Sequence, residues 1–229
     1  MKHWVREISD PSLKRSYELY LQKQEKILTF YLVSVAVSKH AEFPNRFHNT
    51  SVRASTNFEE IVTSIRSVGQ ISEMVKDGRY DQLSRSINII GLVTSFGDFF
   101  DDVKNQLNLN PQDIKKPIEL LSHTKTRLLV RPAALKIAHR VNAEYDLNAR
   151  VCDDYSLRWI NCVINLRHIF MHECGNYTAK YSQDMFATWV DMIEGEPITF
   201  GENQFDSVLW FLNDHVRDFV ERLDKKLSQ

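Results

Sequence analysis

Chain-breaking residues are scarce, and that limits the fold more than any other feature of the sequence. Seven glycines and six prolines in 229 residues are too few for a turn-rich β architecture and suit long helices. The apolar residues repeat accordingly. After Ser9-Asp10-Pro11, a cap residue and a proline suited to a first helical turn, the spacing of Leu13, Tyr17, Tyr20, Leu21, Ile27, Leu28, Tyr31, Leu32 and Val35 predicts one long helix that ends before Pro44. A polar loop over Phe43–Ser55 follows. Thr56-Asn57-Phe58-Glu59 fits a capping box and predicts a helix through Ile61, Ile65, Val68, Ile71 and Val75, stopping at Asp77-Gly78.

Further helices are expected over Tyr80–Leu107, from Pro111 toward Leu121, over Leu135–Tyr145, over Tyr155–His172, through Met185, Trp189, Val190, Met192 and Ile193, and over Asn203–Leu227. Asp153 or Asp154 can cap the Tyr155–His172 helix. Gly91 and Gly97 suit close approach of a neighbouring helix. Leu128-Leu129-Val130 and the segment Gly195–Gly201 read as short extended excursions. The fold class is therefore all-α, an up-and-down bundle in a single domain over residues 1–229. The N-terminal helix, residues 1–43, is either an extension packed on a core of residues 56–229 or part of one domain with a long loop.

The longest apolar run, Ile27 to Val37, is broken by Thr29, Tyr31 and Ser34 and is too short to cross a bilayer, so no membrane association is expected. The first residues lack the apolar segment of a secretory signal. Cys152, Cys162 and Cys174 are odd in number and unpatterned for disulfides, and these features together predict a cytoplasmic protein. The net charge is −1, but it is unevenly spread. Lys115, Lys116, Lys125, Arg127, Arg131, Lys136 and Arg140 make the middle of the chain basic, while its tail is acidic. That basic patch suits phosphates, although solvated helix faces are often as basic.

The chemistry concentrates in Asn165-Leu166-Arg167-His168-Ile169-Phe170-Met171-His172-Glu173-Cys174-Gly175. At about 100° per residue, Ile160, Val163, Ile164, Phe170 and Met171 share a broad face, with Arg167 placed in the middle of it. A buried guanidinium is costly unless an anion or polar group meets it. His168 and His172, four apart, share one side of the helix, whereas Arg167 and His172 are separated by about 140°. Those two can share a site only if the helix frays or bends near His172, or if a second copy of the chain supplies one partner. Gly175 suits a helix stop.

An arginine, then a polar residue, three more residues and a histidine near the end of a long bundle helix resembles the signature of HEPN domains (higher eukaryotes and prokaryotes nucleotide-binding). Here it reads Arg167-His168-Ile169-Phe170-Met171-His172. The continuation Glu173-Cys174-Gly175-Asn176-Tyr177-Thr178-Ala179-Lys180-Tyr181 is similar to the post-motif glycine and basic-aromatic pair of several prokaryotic members. Toxins of this family that pair with minimal nucleotidyltransferases carry a tyrosine where this chain has Cys174, so it is not placed among them.

The resemblance implies a HEPN-type bundle acting as a metal-independent endoribonuclease, needing no cofactor. It also implies a homodimer whose motif helices meet so that two arginines and two histidines line one cleft. His172 is then the proton-transfer residue, Arg167 the phosphate-binding residue, and His168 orients either one or helps carry the RNA substrate. A toxin or antiviral-defence role, with an antitoxin or defence-system partner, follows from the resemblance alone. Three other readings stand beside it. Arg167 can form an internal salt bridge, to Glu173 or to a neighbouring helix. His168, His172 and Cys174 can bind zinc, though Ile169 stands where the metalloprotease pattern needs glutamate. The chain can also be a noncatalytic dimerisation or nucleotide- or nucleic-acid-binding module.

Overall fold

Asp10 opens the first helix, α1 (Pro11–His40): its Oδ1 accepts the Leu13 amide at 2.7 Å, and Pro11 occupies a position where a missing N–H is harmless. The computed structural model describes residues 7–40, 49, 51–54, 64–112, 114–121, 127–173, 175–178, 192–199 and 201–229. Among them the chain is mostly helical, with α2 (Val68–Lys76), α3 (Arg79–Gln106), α4 (Ala133–Tyr145), α5 (Asp154–His172) and α6 (Glu202–Leu227) following α1. The all-α class is thus the observed one. No helix among the described residues is long and apolar enough to cross a membrane.

Helix α3 is the hub, since α1, α2, α4, α5 and α6 all pack against it. Its buried residues, Ser84, Asn88, Ile89, Leu92, Val93, Ser95, Phe96, Phe99, Phe100 and Val103, cover about half its circumference. One side takes α1. Gln24 donates to Ser95, Lys23 pairs with Asp98 at 2.7 Å, and the Tyr20 and Phe99 rings lie 5.6 Å apart. Gly91 lets the two backbones approach, because a Cβ there would lie 3.2 Å from Ile27. At Gly97 nothing among the described residues lies within 4 Å of a would-be Cβ, so no close approach is seen there among them. The α1 residues Leu13, Tyr17, Tyr20 and Tyr31 belong to the same buried cluster as the rest of the protein. On the next side Phe219 of α6 meets Phe100 edge-on at 5.0 Å and Phe99 at 6.4 Å.

Two hairpins interrupt the helices. Strand β1 (Ser51–Ala54) pairs antiparallel with β2 (Ser64–Ser67), Ser51 opposite Ser67. Strand β3 (Ile118–Leu121) pairs with β4 (Arg127–Val130), Ile118 opposite Val130. Both correct the sequence reading. The helix expected from Pro111 toward Leu121 is a turn and a strand: Pro117 removes a donor and drives Lys116 out of the helical region, while the extended Leu128-Leu129-Val130 run, correctly anticipated, supplies a pairing edge. The helix expected from Thr56 begins only at Val68. Its working capping box is Ser67–Gln70, where the Ser67 side chain accepts the Gln70 amide at 3.1 Å and Gln70 accepts the Ser67 amide at 2.9 Å. Thr56 to Glu59, most of the Phe43–Ser55 loop and Met185, Trp189 and Val190 of the next expected helix lie outside the described residues, while Met192 and Ile193, expected to continue that helix, are not helical and lead into the turn at Gly195.

A polar network fastens α6 to the start of α5. Asp218, 7% exposed, accepts the Arg150 amide at 2.8 Å and the Arg222 guanidinium at 2.9 Å. Burial opposes its ionisation, but these hydrogen bonds and the two arginines outweigh that and hold its carboxyl below the usual range. Nearby, His215 Nδ1 donates to the Phe211 carbonyl at 2.7 Å, and its Nε2 meets Ser156 Oγ at 2.8 Å. Burial foremost, with Arg150 adding to it, keeps this imidazole below its ordinary value against the pull of the Phe211 carbonyl, Asp214 and Asp153.

Truncating Phe219 to alanine empties the centre of this packing and should lower stability by about 3–5 kcal/mol, read from a urea midpoint shift at unchanged slope. For His215 the unfolded chain binds the extra proton first. Stability should therefore be full above about pH 6.5 and fall as pH drops through the depressed folded value, and His215→Gln should flatten that limb of the pH–stability curve.

Candidate functional site

Helix α5 begins where Asp153 accepts the Ser156 amide at 2.7 Å, and nothing between Asp154 and His172 breaks it. Through Ile164 it is buried on nearly every side, with Ser156, Leu157 and every residue from Trp159 to Ile164 inside. Beyond Ile164 only Leu166 and Ile169 remain buried. The helix leaves the core at the motif. Phe170 is half-buried and Met171 is 46% exposed, so the apolar face expected to surround Arg167 ends before it. Arg167 lies at the rim of the packed region rather than in its middle.

The guanidinium reaches from that rim to the hub. Arg167 Nε donates to Thr94 Oγ1 of α3 at 3.3 Å, and the Thr94 hydroxyl in turn donates to the Ile90 carbonyl at 2.7 Å. Arg167 forms no ion pair among the described residues, so the internal salt bridge to Glu173 or a neighbouring helix is not made there. Thr94, 73 positions earlier in the chain, has no sequence signal that links it to the motif.

His168 and His172 are brought together. Their i,i+4 spacing puts them on one face, and their rings lie 5.9 Å apart and nearly parallel, at 21°. His168 is half-buried; burial first, then the Arg167 and His172 charges, holds it below the ordinary histidine value. A neutral imidazole at neutral pH can accept a proton. His172 is exposed at the last helical turn.

The helix does not fray before His172. Regular structure runs through that residue, and the Glu173 amide still bonds the Ile169 carbonyl at 3.0 Å. Gly175, at φ +85°, then turns the chain, its amide also reaching the Ile169 carbonyl at 3.1 Å. The next residues are tied down by the excursion before α6: the Tyr177 amide bonds the Glu196 carbonyl and the Ile198 amide the Gly175 carbonyl, both at 2.9 Å. On this regular helix Arg167 and His172 project about 140° apart. Within one chain, therefore, the structure joins the two histidines but not the arginine with His172.

No metal-binding group of three or more His, Cys, Asp or Glu side chains occurs among the described residues, and Cys174 lies outside them. A concavity of about 580 Å³, lined by Gln22, Glu25, Lys26, Thr29 and Phe30, lies on α1 rather than on the motif helix. Comparison with protein-family models, with curated proteins and with solved structures finds no match for this chain.

The Arg167 charge contributes to the depressed His168 value, so Arg167→Gln should move the His168 titration upward toward the ordinary histidine range in a two-dimensional NMR pH series. A His168 that titrates at or above that range in the parent protein would contradict this electrostatic account.

Proposed function

We propose that this protein is a metal-independent endoribonuclease of HEPN type whose working site is composed at the interface of a homodimer. The observation that carries the reading is Arg167: a half-buried guanidinium with no carboxylate partner among the described residues, beside two stacked imidazoles where the helix leaves the core. A charge so placed, bonded among the described residues to a threonine hydroxyl through Nε alone, retains donors for an anion. Strand scission by the ribose itself needs three services: removal of the 2′-OH proton, stabilisation of charge on the phosphorane, and protonation of the departing 5′-oxygen. Arg167 grips the phosphate oxygens and stays charged throughout. His172 moves the proton, and neutral His168 orients it or accepts a proton in its place.

The angle between Arg167 and His172 supports the dimer in this proposal. Because the helix stays regular to His172, the two groups converge on one phosphate only when a twin subunit supplies one of them. The toxin or antiviral-defence role and an antitoxin or defence-system partner rest on the resemblance of the motif alone.

Purified protein incubated with total RNA in excess chelator should yield fragments ending in 2′,3′-cyclic phosphate. Arg167→Ala and His172→Ala should each reduce cleavage by about 10²-fold or more with the fold retained. Mixing the two inactive variants should restore part of the activity, since the mixed dimer keeps one intact arginine–histidine pair across the interface. Chelator-sensitive cleavage would point to metal chemistry instead. A parent protein that dimerises but leaves RNA uncut would point to a noncatalytic module.

A further inference from the structure

The basic residues in the middle of the chain form a surface of their own, apart from the motif. Strands β3 and β4 pair with Ile118 opposite Val130, so Lys115 and Lys116, just before β3, and Arg131, just after β4, leave the hairpin at the same end. Helix α4 starts two residues beyond Arg131. Its inner face, Ala134, Leu135, Ile137, Ala138 and Val141, is buried, and Lys136, His139 and Arg140 fall on the outer one. Lys115, Lys116, Arg131, His139 and Arg140 are exposed and Lys136 is half-buried.

Two features separate this surface from an ordinary solvated helix face. The first is its lack of internal neutralisation. Lys115, Lys116, Arg131 and Lys136 form no ion pair among the described residues, whereas Arg140 pairs with Glu144. By contrast, the arginines on and beside α6 are held by carboxylates: Arg150 by Asp214 and Asp218, Arg217 by Asp214, and Arg222 by Asp218. The second is its placement along the helix. The first turn of α4 holds no acidic residue, and Pro132 gives it no side-chain cap. Cations at the beginning of a helix oppose its dipole, so Arg131 and Lys136 do not serve the stability of α4. Repelling cations gathered at one end of a hairpin gain from a ligand that carries repeated negative charge.

We infer that this surface, built from Lys115, Lys116, Arg131 and Lys136, binds the phosphate backbone of single-stranded RNA. It acts as a positioning surface outside the scissile site. Strand β4 packs against α5, so the surface belongs to the element beside the motif helix. The choice of RNA among polyanions rests on the ribonuclease reading; the surface itself does not. Contacts of this kind carry no base specificity but fix where the strand lies.

The test measures binding without cleavage, by fluorescence anisotropy of a labelled 2′-O-methyl RNA strand that lacks the attacking hydroxyl, across a salt series. The parent should bind, with an affinity that falls steeply as salt rises. Replacing Lys115, Lys116, Arg131 and Lys136 by glutamine should weaken binding at low salt by about tenfold or more. The slope of log affinity against log salt should become shallower by about 3, near 0.7 for each lost phosphate contact. A control that replaces Lys14, Arg15, Lys225 and Lys226 by glutamine should change the slope by less than about 1.

Should the fourfold variant lose its thermal transition, Lys115→Gln with Lys116→Gln, both in an exposed bend, carries the test with about half the slope change. Parent-like affinity and slope in the patch variant, an equal loss in the control, or a parent that fails to bind at low salt would each overturn the inference. Binding through the patch with no cleavage of natural RNA would sink the ribonuclease reading and leave this one standing. Cleavage with an unaltered patch variant would do the reverse.

Discussion

Burial of α3 along about half its circumference is the constraint on which the rest of the structure depends. A helix that presents Phe96, Phe99 and Phe100 together with Ile89, Leu92, Val93 and Val103 over so wide an arc cannot be covered by one neighbour. It takes several helices: α1 along the Gly91 and Ser95 edge, α6 over the phenylalanines, and α4 and α5 packed beside them. Buried Gln24 with Ser95 fixes the pairing of α1 with α3, because a displaced helix would leave buried groups unmet, and exposed Gln106 adds bonds to Ser12 and Ser16.

The same hub positions the candidate site. Helix α5 packs against α3 through its buried length and then departs, and the point of departure is where Arg167 stands. Thr94, on the outer side of α3, meets the guanidinium as it leaves the packed region. The far end of α5 is anchored just as firmly. Asp153 caps it, Ser156 meets His215, and Asp218 binds the turn at Arg150 immediately before it. A helix held at its start and along its core projects its last turn in a fixed direction, which suits the proposed site.

How much of this could be read beforehand differs between elements for physical reasons. Helices α1, α3, α4, α5 and α6 were legible because each combines an apolar repeat with local start or stop chemistry, such as Asp10-Pro11 and Asp153. Apart from Leu128-Leu129-Val130 the strands were hidden, because a strand of four residues carries too little periodicity to be distinguished from a helical turn, and what makes Ile118–Leu121 extended is its partner strand β4. A second Ser-x-x-Gln box at Ser67 competed unseen with the one suspected at Thr56. The motif residues were legible as types at a spacing. Their environment was not, and the sequence put Arg167 in the middle of an apolar face that in fact gives out before it.

What the sequence determined by itself is local: which segments are helical, where α5 begins and ends, and that His168 and His172 share one side of it, since a spacing of four places them on the same helical face. Only the tertiary structure decided which flank of α5 loses its cover, that Thr94 is the group Arg167 meets, and that Asp218 and not another of the tail's acids is buried between two arginines. These outcomes depend on contacts between residues far apart in the chain. Backbone periodicity carries no record of such contacts until the helices have packed.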